Sequence, residues 1–312
     1  MTLFSVKLRD FFTKVPSCQS AFQFSSCCFS GIHISNKERK IKNHFILPLE
    51  EGMIQSSFTK KNMKNYSFFE ERIKREVDKL HIPDRKIAFI LPESSQKSFI
   101  FSFDSLSYSN EEREKVILFR VKKLMPFLPE DTRVSYDSWP SDGNIKIIAT
   151  IARASVIKEY EDFFSRLHLK VRAVGVPSLS LSNLLRMGKK EAMMLVNIEK
   201  DSLSFVVFIH SEIILYRQRP FLIESKIDKP SELEMKDIIQ EIFNTSNFVE
   251  DKEKKKIVSI WVRSGLMNEN EEMILNLKDK LSISVNGVES SLPFDMSLNE
   301  KHILSPLLGQ IL

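Results

Sequence analysis

Short apolar segments alternate with amphipathic ones along this chain, and this pattern predicts a mixed α/β protein. The first segment, FQFSSCCFSGIHIS at 22–35, has apolar residues on both sides of a small-residue cluster, which predicts two strands joined by a tight turn. An extended stretch at 40–55 follows. Residues 67–80 have apolar positions at helical spacing with Ser67 as N-cap, and 85–91 form an apolar strand. Together these elements predict a compact α/β unit.

A second unit is predicted over 95–175, with a small sheet and helices on one face. Its second element has acidic residues in the first turn and lysines in the last, as the helix dipole favours. The predicted elements are a strand at 97–104, a helix at 109–125, strands at 131–139 and 144–153, a helix at 154–169 and a strand at 170–176.

The strand–turn–strand plan of the opening recurs from residue 191, after a short helix at 177–187. Strands with tight turns at 199–202 and near Ser211 fill 191–221. Two parts that begin alike indicate an internally duplicated fold. The predicted elements that follow are a helix at 231–248, a charged loop at 250–256, a strand at 257–263 and a helix at 268–281.

Composition places the chain among ordinary globular proteins, with 42% hydrophobic and 28% charged residues and a net charge of +5. Its basic runs at 37–42, 60–64 and 252–256 are scattered and mixed with acids. Such runs are typical of solvated faces, so we expect no nucleic-acid partner.

The N-terminal 15 residues place Leu8, Phe11 and Val15 near one helical face, with lysine and arginine among the polar positions. No run reaches the ~18 to 20 apolar residues of a membrane span, and no signal-peptide pattern is present. Two interpretations stay open for this extension: a helix or frayed tail against the body, or a basic amphipathic helix on a membrane surface.

Cysteine, histidine and glycine usage each exclude a class of site. Cys18, Cys27 and Cys28 give no disulfide framework, and neither they nor the six histidines have metal-ligand spacing, so a reducing cytoplasm and no metal site are expected. There are eight glycines and no glycine-rich phosphate motif. Glycine lets a backbone approach phosphate closely, so this scarcity argues against a nucleotide enzyme.

Four stretches carry a family resemblance through their order and spacing. They are KIAFILPES, VILFRVKKLMPFLPEDTRVSYDSW, IKIIATIARASVIKEYEDFFSRLHLKVRAVGVPSLSLSNLL and AMMLVNIEKDSLSFVVFIHSEIILYRQRPF. Over roughly residues 20–312 the chain resembles the PilM family of type IV pilus assembly proteins, in the actin-like and FtsA-like superfamily.

The resemblance implies an α/β, actin-like (ribonuclease H-like) two-lobe fold with a small α+β subdomain inserted in the first lobe. The implied division is an N-terminal extension at 1–20, a first lobe at 21–92 and 166–190, the inserted subdomain at 93–165 and a second lobe at 191–312.

The resemblance also implies a cellular role. Family members bind ATP and magnesium between the lobes, lie at the cytoplasmic side of the inner membrane and bind the short cytoplasmic tail of PilN, a single-span protein. Related modules serve type II secretion. We therefore expect a cytoplasmic protein, peripheral at the inner membrane, whose partners are a PilN-like tail and other pilus assembly proteins.

The first phosphate hairpin of the family departs from its pattern here. Where the family has Asp, Gly and often Lys, this chain has Gln23, Ser25 and Ser30. The residues between keep only the small size of the family's turn; they are Ser26, Cys27 and Cys28. A neutral amide is a poor ligand for magnesium, which prefers charged oxygen ligands.

The second hairpin and the adenosine loop depart as well. Asn197 and Glu199 stand where the family has Asp and Gly, and the later strand leads into Arg263, Ser264 and Gly265 in place of a glycine-rich loop. A carboxylate at ~4 Å from phosphate would repel it by roughly 4 kcal/mol. Glu199 could instead point to solvent, and that alternative stays open. No cofactor is expected.

The leading hypothesis is a non-enzymatic scaffold that binds a short peptide tail. The resemblance places the peptide groove in the inserted subdomain, where Arg120, Met125, Pro126 and Phe127 are the candidate contact residues. Alternatively, Met125 and Phe127 cap the core below their helix. Two other functions stay open: ATP binding or hydrolysis with altered residues, and an actin-like cell-division protein tethered to membrane by its N-terminus.

Overall fold

The structure is a computed structural model that describes residues 18–35, 40–64, 69–106, 109–185, 192–224, 230–268, 270–288 and 296–312. The predicted amphipathic helix at the N-terminus and the predicted N-cap Ser67 lie outside the described residues. Within the described ranges, no helix is both long enough and apolar enough to cross a bilayer.

The described residues form thirteen strands and seven α-helices. The strands are β1 (Ser20–Phe24), β2 (Cys28–Ser35), β3 (Lys40–Pro48), β4 (Lys86–Ile90), β5 (Gln96–Phe103), β6 (Thr132–Ser141), β7 (Asn144–Arg153), β8 (Lys170–Gly175), β9 (Ala192–Ile198), β10 (Ser202–Ile209), β11 (Glu212–Pro220), β12 (Ile257–Ser264) and β13 (Ser284–Gly287). The helices are α1 (Glu70–Lys79), α2 (Asn110–Leu124), α3 (Ala154–Arg166), α4 (Pro177–Ser182), α5 (Glu232–Glu253), α6 (Asn270–Lys280) and α7 (Leu298–Ile311), with a 3-10 turn at Glu93–Ser95.

Local sequence signals account for most of these helices. In α1, Ile73 and Val77 lie four residues apart on the buried face, between acidic residues in the first turn and a lysine in the last. At the start of α5, Ser231 and Glu234 form a capping box, in which each side chain accepts a hydrogen bond from the other's backbone N–H. The predicted helices at 67–80 and 231–248 are confirmed, and α5 continues to Glu253.

Two five-stranded sheets repeat one plan. The first has the order β3-β2-β1-β4-β8 and the second the order β11-β10-β9-β12-β13. In each sheet, the first three strands in chain order pair antiparallel with one another. The two later strands are added in parallel beside the first of these three. The predicted internal duplication and the two-lobe architecture are therefore present in the sheets.

The last helix after each sheet packs on the other sheet. α4 follows the first lobe, yet its Leu181 packs with Leu195 and Val206 of the second sheet. α7 follows the second lobe, yet Leu304 and Leu308 pack with the first sheet. The division of the chain at residue 190 therefore follows chain order, whereas packing exchanges α4 and α7 between the lobes.

Helix α3 packs on the first lobe, whereas the family resemblance implied that it belongs to the inserted subdomain at 93–165. Its Tyr160, Phe163 and Phe164 are fully buried, and Phe164 stacks obliquely on Phe22 and Phe89 of the first sheet. By packing, the inserted unit consists of β5, α2, β6 and β7, and it ends at Arg153. The amphipathic pattern of the helix does not by itself identify the sheet that its apolar face covers.

The inserted subdomain packs on the second lobe. One face of its three-stranded sheet packs under Ile117 and Val121 of α2. Ile100 and Ile148, on the opposite face, pack in one cluster with Val206 of the second lobe. Polar contacts also join the subdomain to β11 of the second lobe. Lys97 Nζ donates to Gln218 Oε1 (3.1 Å), and Ser141 Oγ donates to Glu212 Oε2 (2.7 Å).

Helices α4 and α7 cross at the centre of the molecule, where Gly309 lies against the backbone of Ser180. A Cβ at Gly309 would overlap the carbonyl group of Ser180. Asn183 Nδ2 donates to the Gly309 carbonyl (2.8 Å), and Ser180 Oγ donates to Gln310 Oε1 (2.8 Å). The absence of a side chain at this position therefore sets the distance between the two helices.

We predict that Gly309→Ala lowers the free energy of unfolding by about 2–3 kcal/mol, because the two helix backbones must separate to admit the methyl group. Lys301→Ala on the same helix is the control. Its side chain is partly exposed, so we expect a change within about 0.5 kcal/mol. Urea denaturation measures both variants, and an equally small effect of Gly309→Ala would contradict the assigned crossing.

Candidate functional site

The tip of the first hairpin is closed on itself. The Ser25 N–H donates to the Cys28 carbonyl (2.9 Å), and the Cys28 N–H donates to Ser25 Oγ (3.1 Å). A phosphate cradle needs backbone N–H groups that are free to bind the ligand. Two N–H groups of this turn are instead used within the turn.

The same tip is tied to the segment that follows β12. Cys27 Sγ donates to the Gly265 carbonyl (3.3 Å), and both cysteines of the tip are buried. The hydrogen bond with Cys28, together with burial, raises the pKa of the Cys27 thiol well above its usual value. Cys27 is therefore a protonated structural donor that fixes Gly265 against the first hairpin.

Glu199, at the tip of the second hairpin, points into the protein. Its side chain is 4% exposed and forms an ion pair with Arg263 Nη1. The alternative that Glu199 points to solvent is therefore wrong. Gly265 donates its N–H to the Ile198 carbonyl (2.8 Å), and a Cβ at Gly265 would overlap Glu199 and Arg263. The glycine is needed here to admit the ion pair.

Arg263 fills the space between the two hairpin tips and α7. Its guanidinium donates from Nη1 to Asn197 Oδ1 (3.0 Å), from Nε to the His302 carbonyl (2.9 Å) and from Nη2 to the Ile303 carbonyl (3.1 Å). The His302 carbonyl is available because Pro306, four residues later in the helix, has no N–H to donate. The arginine therefore has both a counter-ion and fixed backbone acceptors.

A second buried carboxyl group, Glu93, links the two lobes. It lies in the 3-10 turn after β4 and accepts from Asn197 Nδ2 (3.3 Å), the Ser178 N–H (3.1 Å) and the Tyr216 hydroxyl. Burial raises the pKa of Glu93 although these hydrogen bonds oppose the shift. Because Asn197 also accepts from Arg263, one polar network connects Glu93 to the ion pair.

Glu93 was not predicted to be a site residue, because an acid after Pro92 is typical of an exposed turn. Asp201, in the turn of the second hairpin, was also missed. Burial, with a further contribution from the negative charge of Glu199, raises the pKa of Asp201 to about 6. The pairing of Arg263 with the second hairpin depends on β9 and β12 being parallel neighbours in which Asn197 and Arg263 are in register, and the order of residues along the chain does not give that register.

The residues between the lobes do not fit ATP and magnesium. The Asn197 amide donates to Glu93 through its nitrogen and accepts from Arg263 through its oxygen. The Glu199 carboxylate already pairs with the Arg263 guanidinium. Gln23 and Ser30 are buried cross-strand neighbours, and Gln23 Oε1 and the Ser26 hydroxyl have no partner within the described ranges. No cluster of three metal-ligating side chains occurs in the described part of the chain.

The candidate partner-binding residues lie together at the end of α2. Arg120 is exposed, with its guanidinium 5.2 Å from the centre of the Phe103 ring, and Pro126 is exposed. Met125 packs partly against the core of the inserted subdomain, as the alternative interpretation held. For Phe127 that alternative is wrong, because its side chain is 98% exposed.

Comparison with known proteins identifies the fold. No protein-family sequence model and no curated protein sequence match the chain. Among solved structures, the PilM–PilN type IV pilus biogenesis complex matches with a TM-score of 0.78 and 11% identity, over 95% of this chain and 98% of that chain. This chain has the actin-like fold of PilM.

Two further structures share the PilM-like fold over almost their whole length. A Bacteroides thetaiotaomicron protein with an actin-like ATPase fold and unknown function has a TM-score of 0.57 and 12% identity, with 96% of this chain and 97% of that chain covered. The cytoplasmic domain of EpsL, an inner-membrane component of the type II secretion system of Vibrio cholerae, has a TM-score of 0.51 and 8% identity, with 93% and 94% covered.

We predict that Glu199→Gln and Arg263→Met each lower the free energy of unfolding by about 3–5 kcal/mol, because each leaves a buried charge without its counter-ion. The double variant should lose less than the sum, with a coupling energy of about 2 kcal/mol or more. Urea denaturation of the four proteins gives this cycle.

The control cycle uses Glu71 and Arg75, an exposed pair on α1 whose charged atoms are 3.9 Å apart. Its coupling energy should stay below about 0.5 kcal/mol. Equal coupling in the two cycles would show that the Glu199–Arg263 pair is not a buried, coupled ion pair.

Proposed function

We propose that this chain is a non-enzymatic, cytoplasmic scaffold of a type IV pilus assembly machine or a related secretion machine, peripheral at the inner membrane. The likeness to a PilM–PilN complex over nearly the whole of both chains supports this proposal, as does the likeness to the EpsL cytoplasmic domain. In this role the protein binds the short cytoplasmic tail of a single-span membrane protein.

The observation that carries the non-enzymatic part is the buried Glu199–Arg263 ion pair. It lies where the family resemblance expects phosphate, and the amides of Gln23 and Asn197 stand where carboxylates would hold magnesium. A nucleotide would have to displace Arg263 from its partners on the second hairpin and on α7 and leave Glu199 facing its phosphates. This arrangement supports loss of the nucleotide function.

The tail-binding part of the proposal rests on the end of α2. There Pro126 and Phe127 are exposed a few residues after the exposed Arg120, whose guanidinium lies 5.2 Å from the centre of the Phe103 ring, and Met125 packs partly against the subdomain core. Aromatic residues and arginine are enriched among the residues that dominate binding energy at protein interfaces. We propose that Arg120, Met125, Pro126 and Phe127 shape this contact.

Nucleotide binding tests the non-enzymatic part. We expect titration of the purified chain with ATP and magnesium to give no measurable heat and no rise in melting temperature, because the ion pair occupies the phosphate position. An ATP-binding PilM-type protein, measured in parallel, is the control. A dissociation constant in the micromolar range for this chain would overturn the proposal.

Capture of a tail tests the partner. We expect the cytoplasmic tail of a single-span membrane protein encoded beside this one to co-purify with the full chain, and Arg120→Glu or Phe127→Ser to reduce capture at least tenfold. Phe248→Ser, at another exposed aromatic residue on α5, is the matched control and should leave capture unchanged. Absence of capture by folded wild-type protein would contradict the proposed partner.

A further inference from the structure

The outer face of α2 is both apolar and basic. Val116 and Phe119 are 42% and 59% exposed, and Lys115, Lys122 and Lys123 are exposed beside them. Within the described residues, four of the twelve exposed large hydrophobic side chains lie between residues 116 and 127. Neither the core nor the proposed peptide contact explains Phe119.

Helical geometry separates this outer face from the rest of α2. Ile117 and Val121 are fully buried against the three-stranded sheet, so Phe119 and Lys123, which are four residues apart, project from the opposite side. Lys123 Nζ lies 4.6 Å from the centre of the Phe119 ring. Arg120 points to the flank, toward Phe103, and belongs to the proposed peptide contact.

The charge on the C-terminal part of the outer face has one sign. From 115 to 125 the sequence contains four cations and no acid, whereas the acids of α2 lie in its first turns, at 111, 112 and 114. Lysines around an exposed aromatic ring match the interfacial layer of an anionic bilayer, where rings insert at headgroup depth and ammonium groups meet lipid phosphates. A single convex helix face also provides no groove to enclose a peptide.

We propose that the outer face of α2, formed by Lys115, Val116, Phe119, Lys122 and Lys123, docks on an anionic phospholipid bilayer. This inference rests on the proposed function, because a partner anchored by a short tail holds the scaffold next to the membrane. The bilayer contact orients the inserted subdomain toward the membrane, and the tail contact on the flank lies at the edge of the docked surface.

Co-sedimentation with vesicles tests the proposal. The full chain is mixed with vesicles of phosphatidylcholine containing ~30% phosphatidylglycerol, or with vesicles of phosphatidylcholine alone. We expect binding to the anionic vesicles only, weakened by added salt because the lysine contacts are electrostatic. We expect the double variant Phe119→Ser with Lys123→Glu to bind at least tenfold more weakly.

The chain contains a matched control pair on α5. Lys252 Nζ lies 5.7 Å from the Phe248 ring, also four residues along a helix, and Phe248 is 49% exposed. Phe248→Ser with Lys252→Glu should leave vesicle binding unchanged. Thermal melting of both double variants checks that they are folded.

Three outcomes would overturn the inference: no binding of wild-type protein to anionic vesicles, equal loss in the two double variants, or binding that survives in Phe119→Ser with Lys123→Glu. Vesicle binding that survives in this double variant would mean that any membrane contact lies elsewhere in the chain, for example in the N-terminal extension. If that variant loses tail capture while wild-type protein binds no vesicles, the surface is a protein site. If tail capture fails while vesicle binding behaves as expected, the proposed tail partner is wrong and the proposed bilayer contact is still supported.

Discussion

A guanidinium that has no access to water needs an anion and several further acceptors, and Arg263 finds them on two segments that are distant from it in sequence. The anion comes from Glu199 at the second hairpin, an amide oxygen from Asn197, and two backbone carbonyls from α7. Because the first hairpin reaches Gly265 through Cys27, the tips of both hairpins are positioned around this one side chain. The arginine therefore fixes the positions of the second hairpin tip and α7 relative to each other.

The two lobes are held together by more than this pair. Glu93, in the turn after β4 of the first sheet, accepts hydrogen bonds from Asn197 and Tyr216 of the second sheet, and the inserted subdomain packs on the second sheet through Ile100 and Ile148. At the centre, Gly309 allows α4 and α7 to cross in backbone contact. Each helix covers the other lobe's sheet, so separating the lobes would expose apolar surface on both. These contacts favour one fixed arrangement, which suits a protein that positions partners.

Much of the fold follows from local patterns, because apolar periodicity, capping boxes and turn residues act over a few positions. Such local patterns were enough to predict the hairpin at 22–35, the helix over 109–125 and the strands from 191. Helix α7 was not predicted, since Pro306 and Gly309 interrupt its pattern, and both are explained only by tertiary contacts with Arg263 and Ser180. The same limit applies to Glu93, whose partners come from α4, β9 and β11.

The residues that differ from the family pattern depend on one another in this chain. Glycine at position 199 alone would leave the Arg263 charge buried without its counter-ion, and changing Arg263 alone would leave the Glu199 carboxylate in the same condition. Aspartate at position 197 would add a carboxylate beside Glu93, whose charged form burial already disfavours. Each single change toward the family pattern is therefore opposed by the residues that remain, so this polar network is a stable structural arrangement in its own right.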